Sequence, residues 1–388
     1  AQVPKKLKSR YCPLCEPGRR FMNAGEDVPY SQRPDWKDVT PVAQEDGPEP
    51  LVVIRYPPGF EEAHSYFRAI QQRNEYSERA LTLTADVIEH NSANYTAWYY
   101  RRRCLSELKS DLSAELAFID SWARDSPKNY QVWYHRRWLI AEISSQLKES
   151  EDEDAETKIK ELGNRELEYH MDVMMVNDDF KNYNGWSHRQ YIVQKFGLWH
   201  GELNFVEDLL RMDIRNNSAW NHRYTIVRNV AWPLTDVVRQ REIDYTLSSL
   251  RQCANNESAW NYLAAFLGEG EGKVPWNSVP SVEAFCNELC EMIPDKDRLC
   301  RFAVEALARV HEARGDVPQA LAQLELLKEI DKIRANYWDY RCATLRKKGG
   351  SPADAAATPS PAAAAAKAGY PTGGAQLPVA PAETAGDK

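Results

Sequence analysis

Six times along this chain a short aromatic cassette recurs in which Trp is followed three residues later by Arg, or by a close relative of that pattern. The copies read Asn94-Tyr95-Thr96-Ala97-Trp98-Tyr99-Tyr100-Arg101, Asn129-Tyr130-Gln131-Val132-Trp133-Tyr134-His135-Arg136 and Asn182-Tyr183-Asn184-Gly185-Trp186-Ser187-His188-Arg189. Three more follow: Asn216-Asn217-Ser218-Ala219-Trp220-Asn221-His222-Arg223, Asn256-Glu257-Ser258-Ala259-Trp260-Asn261-Tyr262-Leu263 and Asn336-Tyr337-Trp338-Asp339-Tyr340-Arg341. A repeat constrains architecture before any single residue does, because each unit can bury its apolar face only against its neighbours. The Trp spacings are 35 (98 to 133), 53 (133 to 186), 34 (186 to 220), 40 (220 to 260) and 78 (260 to 338). The 53 is one unit plus an insertion at about 146–160, which carries the charge run Lys148-Glu149-Ser150-Glu151-Asp152-Glu153-Asp154 and reads as a solvated loop or helix extension. The 78 is two units, with a degenerate copy near Cys300-Arg301-Phe302 that has lost its Trp.

Each unit reads as a helical hairpin. Leu203, Val206, Leu209 and Leu210 mark a first helix, and Asp213-Ile214-Arg215-Asn216 breaks it. Asn216 can then cap a second helix carrying Trp220, and an Asn stands four residues before Trp in five copies. Trp can wedge between the two helices, while the Arg can stack on a neighbouring aromatic or bond loop carbonyls. The expected fold is all-α: an α-solenoid, curved as a crescent, of about seven antiparallel helical hairpins spanning 61–347. Residues 31–60 are rich in Pro and turn formers and should run extended along a surface. The basic, Gly/Pro-punctuated tail 1–30 should be poorly ordered, and the Ala/Pro-rich tail 348–388 disordered.

Bulk composition narrows the function. With 57 acidic against 49 basic residues the net charge is −8, which disfavours nucleic acid as the main partner. The eight cysteines have no disulfide-framework spacing, and Cys12-Pro-Leu-Cys15 is at most half a zinc ribbon. No signal-peptide core precedes the repeats, and no apolar run approaches the roughly 18 residues of a membrane span. A cytoplasmic setting is the economical expectation.

Generic helical-hairpin arrays do not open on Asn-Tyr-x-x-Trp-x-x-Arg. The cassette resembles the protein prenyltransferase α-subunit repeat over roughly 35–345, most specifically in 127–137 and 180–190. The segment Asp38-Val-Thr-Pro-Val-Ala-Gln-Glu-Asp-Gly-Pro48 is similar to that of the subunit shared by farnesyltransferase and type I geranylgeranyltransferase. The resemblance implies a crescent wrapped around a β subunit that holds Zn²⁺ and most of the isoprenoid pocket. It also implies Mg²⁺ for the farnesyl reaction. The implied reaction moves farnesyl or geranylgeranyl from its diphosphate to the Cys of a C-terminal CaaX motif, on protein substrates such as small GTPases.

Two successive copies carry Lys-Asn-Tyr at the mouth of the second helix: Lys128-Asn129-Tyr130 and Lys181-Asn182-Tyr183. In a stacked array these lie side by side, offering two cations and two helix N-termini to the charge that builds on a departing diphosphate. The resemblance makes Lys128 the lysine that contacts the diphosphate and Tyr183 a tyrosine beside it. Tyr130 lines the pocket, Gln131 bonds the C-terminal carboxylate of the peptide, and Tyr95 holds the same place one copy earlier. Asn184 stands where relatives often carry His. Asn129, Lys181 and Asn182 complete the expected substrate-binding set. His135, His188 and His222 occupy equivalent points of separate hairpins about 10 Å apart, too far to share a metal, so they are expected to pack. Two other readings remain: a Rab-type geranylgeranyltransferase α subunit, which carries further domains, and a non-catalytic scaffold that binds proteins.

Overall fold

A computed structural model describes residues 28–292 and 295–349. Cys12, Cys15, most of the 1–30 tail and the 350–388 tail lie outside the described residues. Fifteen α-helices occur among the described residues, and the only extended pairing there is an isolated bridge between Leu267 and Val274. The first, α1 (Pro58–Arg73), precedes seven hairpins. These are α2 (Glu78–His90) with α3 (Tyr95–Leu108), α4 (Leu112–Asp125) with α5 (Tyr130–Glu149), α6 (Ala155–Val176) with α7 (Tyr183–Phe196) and α8 (Glu202–Met212) with α9 (Asn217–Val230). The remaining three are α10 (Asp236–Gln252) with α11 (Glu257–Ala264), α12 (Pro280–Met292) with α13 (Arg301–Arg314) and α14 (Val317–Ile330) with α15 (Ala335–Gly349). The chain divides into two compact units, one up to Phe266 that holds α1–α11 and one from Leu267 that holds α12–α15.

The second helix of each hairpin starts where its cap allows. Asn94 accepts from Ala97 N (3.2 Å), Asn129 from Gln131 N (2.9 Å), Asn182 from Gly185 N (3.0 Å) and Asn216 from Ser218 N (3.1 Å). Each satisfies a donor that the first turn leaves without a partner. Asn256 holds the cap position of α11 without a side-chain bond to that helix. In the degenerate copy Cys300 caps α13, and buried Val304 stands four residues on, in the place of the missing Trp. The other Trp side chains of the cassettes are buried in the cores.

The charged insertion lengthens both helices of its hairpin. α5 runs for 20 residues and α6 for 22, against 14 in α3, α4, α7 and α9, and the loop left between them is 150–154. At the other end of the unit, the segment expected to run extended over 31–60 does so only at 39–57, because Tyr30–Gln32 and Pro34–Trp36 form 3-10 turns and α1 begins at Pro58. Residues 39–57 are pinned to α1 where Val42 N donates to Ser65 O (3.0 Å) and Arg68 Nε to Val42 O (2.8 Å). Asp38 is gripped by Arg79 (2.7 Å) of α2. Tyr30, at the edge of the expected loose tail, is buried against Trp36 (centroids 5.0 Å) and Tyr66 (5.4 Å), because burying an aromatic cluster offsets the ordering of a short segment.

Candidate functional site

Two ladders built from the cassettes fix the register of the hairpins. In the first, the carbonyl six residues before Trp98, Trp133, Trp186 and Trp220 accepts twice. Pro127 O takes Trp133 Nε1 (2.8 Å) and Asn182 Nδ2 from the next hairpin (3.1 Å). Ser92 O takes Trp98 Nε1 (2.9 Å) and Asn129 Nδ2 (2.7 Å) in the same way, Phe180 O takes Trp186 and Asn216, and Ile214 O takes Trp220 and Asn256. Asn129 and Asn182 therefore cap a helix with the amide oxygen and tie two hairpins with the amide nitrogen.

The second ladder is of buried glutamates, one on the first helix of each of four successive hairpins, α4, α6, α8 and α10. Glu166 (α6) accepts both Nε (2.8 Å) and Nη2 (2.7 Å) of Arg136 from α5, and Nε2 of His188 (2.8 Å) from α7. Glu115 receives Arg101 and His135, Glu202 receives Arg189 and His222, and Glu242 receives Arg223 and, where the fifth copy carries Tyr for His, the Tyr262 hydroxyl (2.7 Å). Each guanidinium also lies over the aromatic ring three residues after its glutamate: Arg101 on Phe118 (4.2 Å), Arg136 on Tyr169 (3.5 Å), Arg189 on Phe205 (3.4 Å) and Arg223 on Tyr245 (3.7 Å). The expected stacking is thus present, but the cassette Arg is spent mainly on a carboxylate, because Trp and Asn already occupy the loop carbonyls. The glutamates were not singled out from the sequence. Their signal is a Glu-x-x-(Phe/Tyr) spacing on the first helix at Glu115, Glu166, Glu202 and Glu242. The three histidines sit on separate glutamates, and among the described residues no group of three His, Cys, Asp or Glu could hold a metal.

This buried network makes stability depend on pH. Burial alone would raise the Glu166 pKa, but Arg136 and His188 outweigh it and hold the carboxyl at about 2. Glu115 and Glu202 are lowered for the same reason. His135 and His188 are pushed below 6.5 by burial, against the pull of their glutamates. In every case the folded chain binds fewer protons than the unfolded one, so stability rises with pH. We expect the thermal midpoint to fall as pH drops below about 6.5, where unfolded His takes up protons, and more steeply between about 4.5 and 2. The Glu166 shift alone corresponds to about 3 kcal/mol at neutral pH. A midpoint equal at pH 7.5 and pH 4 would contradict the network.

The ladders present the mouths of α5 and α7 as neighbours. Tyr130 and Tyr183, the first residues of the two helices, have ring centroids 6.4 Å apart and stand 65% and 73% exposed; Tyr95 holds the same place on α3 and is exposed too. Lys128 is 85% exposed and lies 3.9 Å from Asp179, whereas Lys181 is bound to Asp213 at 2.8 Å. Gln131 is half-buried in the first turn of α5, and Asn184 is buried in the first turn of α7. The sequence-derived residues of the two copies thus gather at adjacent helix N-termini, with one loosely held ammonium beside two exposed phenols. Such an arrangement suits a multiply charged anion brought in from outside the chain.

Five stretches match the protein prenyltransferase alpha subunit repeat: 77–108, 112–143, 164–196, 199–230 and 239–269. Each coincides with one hairpin of the first unit. Protein farnesyltransferase/geranylgeranyltransferase type-1 subunit alpha of Arabidopsis thaliana is 38% identical over 82% of this chain and 97% of its own length. The subunit of the same name from Pisum sativum is 35% identical over 82% and 95%. Among solved structures, a chain of Candida albicans protein geranylgeranyltransferase-I complexed with GGPP superposes with a TM-score of 0.69 at 30% identity, over 80% of this chain and 98% of that one. Matched along nearly the whole length of these relatives and carrying five copies of the protein prenyltransferase alpha subunit repeat, the chain belongs to the protein farnesyltransferase/geranylgeranyltransferase type-1 α-subunit family.

Proposed function

We propose that this chain is the α subunit of a heterodimeric protein prenyltransferase. It works with a β subunit to transfer farnesyl from its diphosphate to the Cys of a C-terminal CaaX motif, and geranylgeranyl with another β subunit. The observation that carries the reading is the exposed Lys128 with Tyr130 and Tyr183 at two adjacent helix N-termini, a half-site open on the side where a partner would complete it. In the transfer, a bond forms between the Cys sulfur and C1 of the isoprenoid. The C1–O bond breaks, diphosphate leaves with the electron pair, and the thiol proton passes to solvent. Lys128 and the N-termini of α5 and α7 stabilise the charge gathering on the diphosphate, and Tyr183 bonds beside it. Tyr130, Tyr95 and Asn184 line the approach, Lys181 adds positive charge at its edge, and Gln131 meets the carboxylate that ends the protein substrate.

Zinc and magnesium are the metals the resemblance implies. Among the described residues no group of three His, Cys, Asp or Glu could hold a metal, and the resemblance assigns the zinc to the β subunit. No described helix is long and apolar enough to cross a membrane. A cytoplasmic setting suits the free thiols of Cys104, Cys253, Cys286, Cys290 and Cys342. The test is co-expression with each candidate β subunit, followed by transfer assays with both isoprenoid diphosphates and a CaaX peptide. The expected result is a stable heterodimer with zinc-dependent transfer and no turnover by this chain alone. Failure of every β subunit to co-purify would revive the scaffold reading.

A further inference from the structure

At three successive hairpins the residue just before the capping Asn meets the residue three before the capping Asn of the next hairpin. This register occurs as Lys128 with Asp179 (3.9 Å), Lys181 with Asp213 (2.8 Å) and Arg215 with Cys253 (Nε–Sγ 3.2 Å). Lysine fills the first place only in the copies at 128 and 181, and Asp the second only at 179 and 213, so each Lys has its own carboxylate one hairpin on. The two pairs differ in kind. Lys181 is locked in contact, while Lys128 lies at the limit of an ion pair and is 85% exposed.

Asp179 itself is well placed. Asp178 closes α6 in the left-handed region (φ 49°), and Asp179 N donates to Met174 O (3.0 Å), which fixes the turn. The Asp179 carboxylate accepts from Asn182 Nδ2 (3.2 Å), the same amide that bonds Pro127 O next to Lys128. A carboxylate held by a helix end and a cap therefore faces a lysine with a long, mobile stem. We propose that Asp179 is a positioning residue for transfer. It holds the Lys128 ammonium between the mouths of α5 and α7, so that less side-chain freedom is lost when the lysine meets the leaving diphosphate. Lys128 is exposed, Asp179 is half-buried and their contact is loose, so the pair adds little to stability and its effect is on rate. The inference rests on the reading of Lys128 given above.

Asp179→Asn keeps an acceptor for Asn182 and removes the charge. In the purified heterodimer, kcat of this variant is expected to fall about 10-fold with KM for the isoprenoid diphosphate within about twofold, because positioning acts on the transition state. Asp179→Glu, which restores the charge, should recover part of the loss, and the thermal midpoint should stay at the wild-type value in both variants. In a Lys128→Ala background, Asp179→Asn should change nothing further. Wild-type turnover in Asp179→Asn overturns the proposal, and so do losses that multiply in the double variant. Wild-type turnover in Lys128→Ala would instead strike at the underlying reading of the site, so the two failures are distinguishable.

Discussion

Replacing Lys128 by Ala in the heterodimer is expected to lower kcat about 100-fold, or about 3 kcal/mol, while KM for the isoprenoid diphosphate changes only a few-fold. The reason is differential. In the ground state the diphosphate charge is spread and solvated; as the C–O bond breaks, charge accumulates on the leaving oxygens and a cation at the helix mouths gains in value. The structure also makes the variant readable. Lys128 is largely exposed and its ion pair with Asp179 is loose, so its removal leaves the cap by Asn129, the Trp133–Pro127 bond and the core untouched. A rate loss therefore reports chemistry, not unfolding. Lys181→Ala, whose ammonium is already bound to Asp213, should lose less. Unchanged turnover in Lys128→Ala would remove that residue from the mechanism.

Glu166→Gln should cost about 3–5 kcal/mol of folding stability, measured by chemical denaturation, the range found when one partner of a buried pair is removed. Glu166 accepts both the Arg136 fork and His188, and all three are buried. A neutral amide leaves the guanidinium charge without its counter-ion in a place water does not reach, and one of its groups must face a donor with a donor. Exposed pairs behave differently: loss of the Arg211–Asp208 contact should stay within about 1 kcal/mol. Glu166 joins α5, α6 and α7, so its loss should also disturb the spacing of Tyr130 and Tyr183. A loss below about 1 kcal/mol for Glu166→Gln would show that the ladder does not carry the register.

Much of the candidate site was legible because it departs from a repeat. Once five copies align, a Lys before the capping Asn stands out at 128 and 181, and identical local geometry puts Tyr130 and Tyr183 at the same point of their helices. The partners of those lysines were not legible. Asp179 and Asp213 read as ordinary turn residues until the hairpins stack, and only their distances separate a loose ammonium from a locked one. The arginines were placed correctly against aromatics, but their glutamates were missed, since Glu on a helix is by default a solvent-facing residue. The insertion at about 146–160 could be located by its charge, whereas its effect, two helices extended together, depends on their packing along each other.

By itself the sequence determined the hairpins: where each helix starts, through an Asn four residues before the Trp, which face is apolar, and how many units follow one another. These are short-range consequences of helix period and capping, settled within a few residues of the chain. Only the tertiary structure decided which charges are buried and which remain available. The Arg–Glu bonds join residues 13 to 30 positions apart on different helices. A charge can leave water only where its partner arrives at hydrogen-bonding distance, and that is known only once neighbouring hairpins have set their register.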